Sequence, residues 1–551
     1  MSMPMVTVLR YQCRQWHKLC ILCRQLQNYE NVTNKRAQII RSFSNLDLNS
    51  RRDQLPEWQG VIGLEIHAQI QSVSKLFSGA ATNYNASTNT QVAYFDAALP
   101  GTLPVLNKKC VEAGIKTALA LNCDINMMSL FDRKHYFYAD MPAGYQITQY
   151  RKPLAINGQM PYVFLCTKTD YMERRSAKIF QIQLEQDSGK SLHDAKAGLS
   201  LIDLNRAGIG LMEIVTAPNF TCGDDAASFV RDLRDILVTI GACDGRMAEG
   251  SLRVDANISV NRLGEPMGTR TEVKNLNSLR NIRLAVDYEI NRQIQLLESG
   301  GVVENETRSF DVEDGETLLM REKEKVLDYR FMPEPNLPPL IIHKDLSTST
   351  SDSNVVVIEL VKSQMKELPE EKRKRLEEKY KMELKNAVIL VRANLSELFE
   401  KLVDVHGCNP VTTSALLRYC YVTLLDNLKL GDTAHMASPL REAALLEIAH
   451  IFGRGEISLH SAFVLMETLV AQPDQSCIDI IEEKGLWIVT DESVIMSIIE
   501  EVCTRNRHAV KAFKKGKKNQ FEILRNKVVK KLEGKSSIEL VNQLLNAKLK
   551  E

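Results

Sequence analysis

From Val61 onward apolar and polar residues alternate. Ile62, Leu64, Ile66, Ala68 and Ile70 fall on one side of an extended chain, and Gly63, Glu65, His67 and Gln69 on the other. Period two over this length predicts a half-buried β-strand whose polar side carries a carboxylate and an imidazole two residues apart. The alternation returns at 178–187, with Gln181, Gln183, Glu185 and Asp187 on one side. It returns again at 251–260, where Ser251, Arg253, Asp255, Asn257 and Ser259 oppose Leu252, Val254, Ala256, Ile258 and Val260. Glu213 lies in the apolar stretch 211–215, and Glu272 and Lys274 flank Val273. Together these segments predict a sheet with one covered face and one polar, acidic face. Beyond Pro339 the period becomes helical: 353–402 is rich in Glu, Lys and Leu, with Pro369 opening a charged helix at Glu370. Further helical stretches follow at 415–428, 440–452, 493–502 and 538–548. The fold class expected is α+β, a sheet domain followed by an all-α tail.

A polar face on any one strand needs no explanation beyond solvation. Four segments that each offer carboxylates, one with a histidine, need more, because clustered carboxylates repel unless a cation neutralises them. Oxygen-rich sites with few sulfur ligands suit a hard ion such as Mg²⁺, which commonly bridges to phosphates. Other nucleotide signatures are weak. Gly189, Lys190 and Ser191 spell the end of a phosphate-binding loop, but Leu184 stands where that loop needs its first glycine. Gly208 and Gly210 form a lone GxG that reads as a turn, and no nucleophile triad announces itself by spacing.

At 551 residues the chain is long enough for three or four domains of roughly 150 residues. Its 44% hydrophobic and 25% charged residues are the balance of a globular protein, and no apolar run approaches the roughly 20 residues a membrane helix needs. The net charge of +1 conceals an asymmetry. Residues 1–46 carry seven Lys and Arg against Glu30 alone, and 504–535 carry twelve against Glu522 and Glu533, so the body between them is net acidic. In the leader, Arg10, Arg14 and Lys18 recur every four residues opposite Met5, Leu9, Trp16, Leu19, Cys23 and Leu26, with a Ser-containing segment at 41–44. That pattern fits a mitochondrial transit peptide, with a disordered basic arm as the plainer alternative. The twelve cysteines show no framework, and the single CxxC (Cys20, Cys23) supplies only two zinc ligands, so reduced thiols in an intracellular compartment are expected.

The runs GLEIHAQI (63–70), LPGTLPVLN (99–107), FDRKHYFYADMPAGYQITQ (131–149), LEQDSGKS (184–191), DLNRAGIGLMEIV (203–215), GSLRVDANISV (250–260), TEVKNLNS (271–278) and DYRFMPEPNLPPL (328–340) closely resemble the B subunit of glutamyl-tRNA(Gln) amidotransferase. They occur in that family's order, and the leader points to a mitochondrial member acting in the matrix. The resemblance implies an antiparallel-sheet catalytic fold like that of glutamine synthetase and the guanidino kinases, followed by an all-α tail in two parts. It divides the chain into leader (1–56), catalytic domain (57–345), helical linker region (346–402) and helical tRNA-binding tail (403–551). It also implies a reaction, in which ATP phosphorylates the γ-carboxylate of glutamate misloaded on tRNA(Gln). Ammonia, delivered from an amidase-like A subunit, then displaces the phosphate, and a small C subunit wraps the other two.

By the family's motifs Glu65, His67, Glu185 and Glu213 would hold Mg²⁺, with Asp187 outer-sphere and Lys134 at the polar path of ammonia into the reaction centre. Charge and strand face nominate Arg253, Asp255 and Lys274 for the ATP site. Tyr136, Phe137, Tyr138 and Tyr145 are candidates either for core packing or for stacking the terminal nucleotides of tRNA. Two departures stand out. Bacterial relatives often carry a Cys₄ zinc knuckle where this chain has Ser78, Ala80, Ala93 and Asp96, so no structural zinc is expected. They also often have Glu and Lys where Gln186 and Ala143 stand, so ammonia would be gated differently. In the tail, Lys511, Lys514, Lys515, Lys517, Lys518, Arg525, Lys530 and Lys531 form a basic run that is either a solvated face or, as suits a tRNA enzyme, a phosphate-contacting patch. A silent tRNA-binding assembly subunit is the alternative function, although the retained carboxylates argue against it. A metal hydrolase would leave the tail unexplained.

Overall fold

The structure is a computed structural model describing residues 58–194, 196–322, 329–345, 355–428, 439–517 and 519–550. The leader expected at 1–56 and Lys518 of the basic run lie outside the described residues. Strand β1 (Trp58–Gln69) leads to helix α1 (Lys108–Ala120) and the short strands β2 (Asp124–Ile125) and β3 (Met128–Ser129). Three hairpins follow: β4 (Asp132–His135) with β5 (Tyr145–Thr148), β6 (Ala155–Cys166) with β7 (Tyr171–Gln186), and β8 (Lys190–Asp194) with β9 (Leu199–Asp203). Then come β10 (Gly210–Thr216), α2 (Gly223–Thr239), β11 (Leu252–Arg262), β12 (Thr271–Leu276), α3 (Leu279–Glu298), β13 (Glu306–Asp311) and β14 (Glu316–Glu322), with β15 (Met332–Pro333), β16 (Leu340–His343) and β17 (Val356–Val357) closing this half.

Nine of these strands form one sheet in the order β14-β13-β12-β11-β1-β10-β7-β6-β2. It is dominated by antiparallel pairs, with β12–β13 parallel. The period-two pattern has a direct cause. Ile62, Leu64, Ile66 and Ala68 of β1 are buried in one cluster with Phe229 and Leu233 of α2 and Ile282 and Val286 of α3, so the helices cover that face. Each fully buried Leu, Ile or Phe contributes on the order of 1.5–3 kcal/mol, which fixes the register against a one-residue slip.

The opposite, polar face is not left open along its length. β6 stops pairing at Ala155, opposite Ile182, which frees the edge of β7 beyond that point. The β4–β5 hairpin and the residues after it complete the edge. Gln149 Oε1 accepts the Leu184 N–H (3.0 Å), Gln186 Oε1 accepts the Ile147 N–H (3.0 Å), and the Gln146 amide donates to the Gln186 carbonyl. β15 adds a third strand to this roof by pairing with β4.

The loop between β1 and α1 is held from inside. Lys75, fully buried, donates to Asp96 Oδ2 at 3.0 Å and to the Leu204 carbonyl at 3.3 Å. The same oxygen of Asp96 accepts from Ser78 Oγ (3.0 Å) and the Ala93 N–H (2.9 Å). Three of the four positions where a zinc knuckle was expected to be missing thus meet at one carboxylate.

The rest of the chain is helical, with one buried cluster between Leu376 and Leu486 and another between Ile495 and Leu549. Pro369 occupies the first turn of Pro369–Tyr380, where Glu371 accepts the Leu368 N–H, as the sequence signal required. Helices at Glu442–Gly453, Glu492–Arg505 and Ile538–Lys550 match the expected stretches. The helical part is joined to α2 through Asp232, a buried carboxylate that accepts from Arg373 (3.0 Å), Arg392 (2.8 Å) and the Val163 N–H (2.9 Å). Among the described residues no helix is long and apolar enough to cross a membrane.

Candidate catalytic site

Register brings the carboxylates together. In the antiparallel pair β1–β10, His67 lies opposite Glu213 and Glu65 opposite Val215. In β10–β7, Glu213 lies opposite Gln183 and Leu211 opposite Glu185. Residues directly opposite share a face, as do residues two apart, so Glu65, His67, Glu185 and Glu213 all project from the polar side. One ligand atom from each of Glu65, His67 and Glu213 lies within 4.8 Å of the others. His67 Nε2 is 3.6 Å from Glu65 and 3.9 Å from Glu213.

Under the hairpin roof Glu185 and Glu213 are 2% and 7% exposed, whereas Glu65 and His67 are half-buried. Gln183 donates to Glu213 at 2.6 Å and to Thr148 at 3.2 Å. Burial, reinforced by the negative charges of Glu185 and Glu65, pushes the Glu213 carboxyl well above its ordinary range. Glu185 Oε2 is buried with no hydrogen-bond partner. An orphaned carboxylate oxygen beside a carboxyl driven toward its neutral form is what an oxygen-seeking cation would relieve, so the donor set fits Mg²⁺.

Lys134, from β4, reaches down to 3.9 Å from Glu185. The charge of Glu185, with Glu213 and Glu65 beyond it, raises the ammonium above its usual range despite burial. The other nominated cations are engaged by protein carboxylates. Arg253 donates to Asp187 at 3.0 Å, and Lys274 pairs with Asp255 at 3.1 Å and Glu272 at 2.9 Å. Burial alone would lower Lys274, but these two carboxylates outweigh it and raise it.

Sequence reasoning missed Arg206, which donates to the Ser188 and Gly189 carbonyls (2.9 and 2.6 Å) and lies 3.7 Å from Asp187. It lies in an aperiodic loop, where no pattern marks it. Gln183 was visible only as a polar position in the alternation of β7. Next to these groups is a cavity of about 340 Å³ walled by Phe95, Leu99, Met141, Ala143, Gln186 and Asp187. The two uncharged replacements, Ala143 and Gln186, therefore line one space.

Of the four aromatic candidates, Tyr136 donates from its hydroxyl to Gln146 (2.9 Å) and Tyr145 carries the Arg133 guanidinium 4.2 Å above its ring. Phe137 and Tyr138, 88% and 58% exposed at the hairpin tip, do not pack into the core. In the tail, Lys511, Lys514, Lys515 and Lys517 are exposed, whereas Lys531 pairs with Glu501 and Lys527 donates to Asn506. Arg525 is half-buried and Lys530 exposed.

Comparison with known proteins yields two family matches, the GatB/GatE catalytic domain over residues 60–348 and the GatB domain over 397–549. The chain is 46% identical over 495 residues to the mitochondrial glutamyl-tRNA(Gln) amidotransferase B subunit of Danio rerio, covering 89% of each chain. It is 45% identical to the protein of the same name in Homo sapiens, over 90% of this chain and 89% of that one. It is 44% identical to the aspartyl/glutamyl-tRNA(Asn/Gln) amidotransferase B subunit of Rickettsia canadensis (strain McKiel), over 90% of this chain and 98% of that one.

Proposed function

The chain belongs to the GatB family of amidotransferase B subunits, and on that premise we propose that its roofed acidic face is where the glutamate of Glu-tRNA(Gln) is activated and amidated. The protein is a subunit of an ATP-dependent amidotransferase that converts Glu-tRNA(Gln) to Gln-tRNA(Gln) in mitochondria, together with a glutaminase-type A subunit and a small C subunit.

A carboxylate is a poor electrophile because its oxygen is a bad leaving group. In the proposed sequence a γ-carboxylate oxygen of the tRNA-bound glutamate attacks the γ-phosphorus of ATP, the O–P bond forms and ADP departs. Ammonia then attacks the acyl carbon, phosphate leaves with the C–O bond electrons, and the excess proton is lost. Charge grows on phosphoryl oxygens in the first step, so fixed positive groups supply most of the acceleration. Lys134, half-buried next to Glu185 and held in its charged form, is the nearest such group. Arg253 and Lys274 stand half-buried on the neighbouring strands, where each would exchange its carboxylate partners for ATP phosphates. Mg²⁺ held by Glu65, His67, Glu185 and Glu213 would neutralise phosphoryl charge here.

The roof shields Glu185 and Glu213 from water, which would otherwise hydrolyse the acyl phosphate. Phe137 and Tyr138 offer rings for the terminal bases of the tRNA, and the basic run of the tail offers phosphate contacts. The domain division follows the same logic, with catalysis in 57–345 and tRNA binding in the helical tail 403–551, reached through 346–402. In the loop after β1, Asp96 with its donors Lys75, Ser78 and Ala93 would hold together the segment that a zinc knuckle holds in bacterial relatives.

One observation carries this reading: three ligand atoms converge from two adjacent strands, with a buried, partnerless carboxylate oxygen and a charged lysine beside them. A silent assembly subunit would have no use for so costly an arrangement. In the assembled complex, Glu213→Gln should abolish tRNA-dependent ATP cleavage while sparing tRNA binding. Unchanged cleavage would overturn the assignment.

A further inference from the structure

We propose that Tyr329 is a positioning residue for the reaction: its ring holds the Lys134 ammonium in place beside Glu185. This rests on the reading that Lys134 works at the reaction centre. Lys134 Nζ stands 3.9 Å from Glu185 Oε1, too far for a firm hydrogen bond, so the carboxylate attracts the ammonium without fixing it. The Tyr329 ring centroid lies 5.3 Å from the same nitrogen, within the range at which an ammonium is drawn to a ring. At a half-buried ammonium that attraction is stronger than at a fully exposed one.

The ring is itself held. Tyr136 packs edge-on against it at 6.4 Å, and Phe331 lies at 6.1 Å and stacks on Tyr150 at 4.0 Å with 9° between the planes. The backbone carrying it is tied to β4 next to Lys134. The His135 N–H donates to the Tyr329 carbonyl (2.9 Å), and His135 Nδ1–H donates to the Arg330 carbonyl (2.9 Å). Arg330 takes a left-handed conformation (φ 44°), which turns two consecutive carbonyls toward one histidine. Met332 and Pro333 then pair with Arg133 and Asp132, and Glu334 grips the Arg133 guanidinium through both oxygens at 2.6 and 3.1 Å. A strap from far along the chain is thus bolted across the hairpin, and Tyr329 is its contact with the lysine.

Two readouts on the complex with its A and C subunits test this. In glutamine-driven Gln-tRNA formation, Tyr329→Leu should lower kcat by roughly three- to thirtyfold with KM for Glu-tRNA unchanged, and Tyr329→Phe, which keeps the ring, should restore the rate. In the absence of substrates, amine-reactive labelling of Lys134, read by peptide mass spectrometry, should be faster in Tyr329→Leu and unchanged in Tyr329→Phe. The proposal is overturned if Tyr329→Leu leaves Lys134 labelling and kcat as they were, or if Tyr329→Phe fails as badly as Tyr329→Leu. A Lys134→Met complex with the full rate would instead remove the role of Lys134, while the labelling experiment still decides whether the ring holds it.

Discussion

Replacing Lys75 by Met leaves the Asp96 carboxylate buried with Ser78 Oγ and the Ala93 N–H as donors and no counter-charge. Its second oxygen already has no hydrogen-bond partner, so nothing local compensates. Removing one member of a buried pair costs about 3–5 kcal/mol, because the remaining charge is stranded in a low dielectric. For a body the size of residues 60–348, with unfolding entropy of roughly 2.1 cal/mol/K per residue, that is a fall in Tm of about 5–8 °C. The double variant Lys75→Met/Asp96→Asn removes both charges while an amide oxygen still accepts from Ser78 and Ala93, and should recover most of the loss. Calorimetry on the three proteins decides the matter. A single variant costing under about 1 kcal/mol, or a double variant no better than the single, would refute the view that this ion pair pins the loop. The same loop walls the cavity beside Gln186 and Asp187, so a loosened pair should also slow amide formation.

Three further outcomes follow from charge. Glu213 is raised above its usual 4.5, so the folded chain keeps a proton there that the unfolded chain has lost; metal-free stability should fall as pH rises from that value toward the raised one. Mg²⁺ binding must then expel the proton, seen by titration calorimetry in buffers of different ionisation enthalpy, and Glu213→Gln should abolish the release; a release that persists in the variant would contradict the assignment. In the tail, helix Arg507–Lys514 buries no residue, so changing Lys511, Lys514, Lys515 and Lys517 to Gln leaves the core intact. It should flatten the slope of log K for tRNA against log salt by roughly 0.7–0.9 for each phosphate no longer neutralised, and an identical slope would make the basic run a solvated face.

The strands β1 and β11 were legible because helices cover one face of each, and period two is the imprint of that asymmetry. At the end of β7 the alternation was legible but the burial was not. Its residues 182–186 are buried on both faces, because a hairpin of two four-residue strands, too short to show a period, roofs them. Glu65, His67 and Glu185 could be placed on polar strand faces from alternation, and Glu213 only within an apolar stretch; their convergence depends on the strand order β1-β10-β7, which alternation does not encode. Likewise Arg253, Asp255 and Lys274 were legible as charges on a polar face, whereas the pairing of Lys274 with Asp255 and the capture of Arg253 by Asp187 are tertiary. Arg206, the Lys75–Asp96 pair and the Tyr329 strap bring together residues from loops or distant segments, where local pattern carries no signal. The tail was read more easily, since each of the expected helices buries its own stripe. Its joint to α2 at Asp232, a carboxylate shared by two arginines from separate helices, was not.

The central claim is that carboxylate activation and amide formation occur on this chain. The direct test supplies the assembled complex with ATP, Glu-tRNA(Gln) and ammonium chloride in place of glutamine, bypassing the amidase step, and measures Gln-tRNA. Product should form with the native chain and not with Glu65→Gln, which should still bind tRNA. Equal product from Glu65→Gln, or no product from a native complex that binds its tRNA, would contradict it.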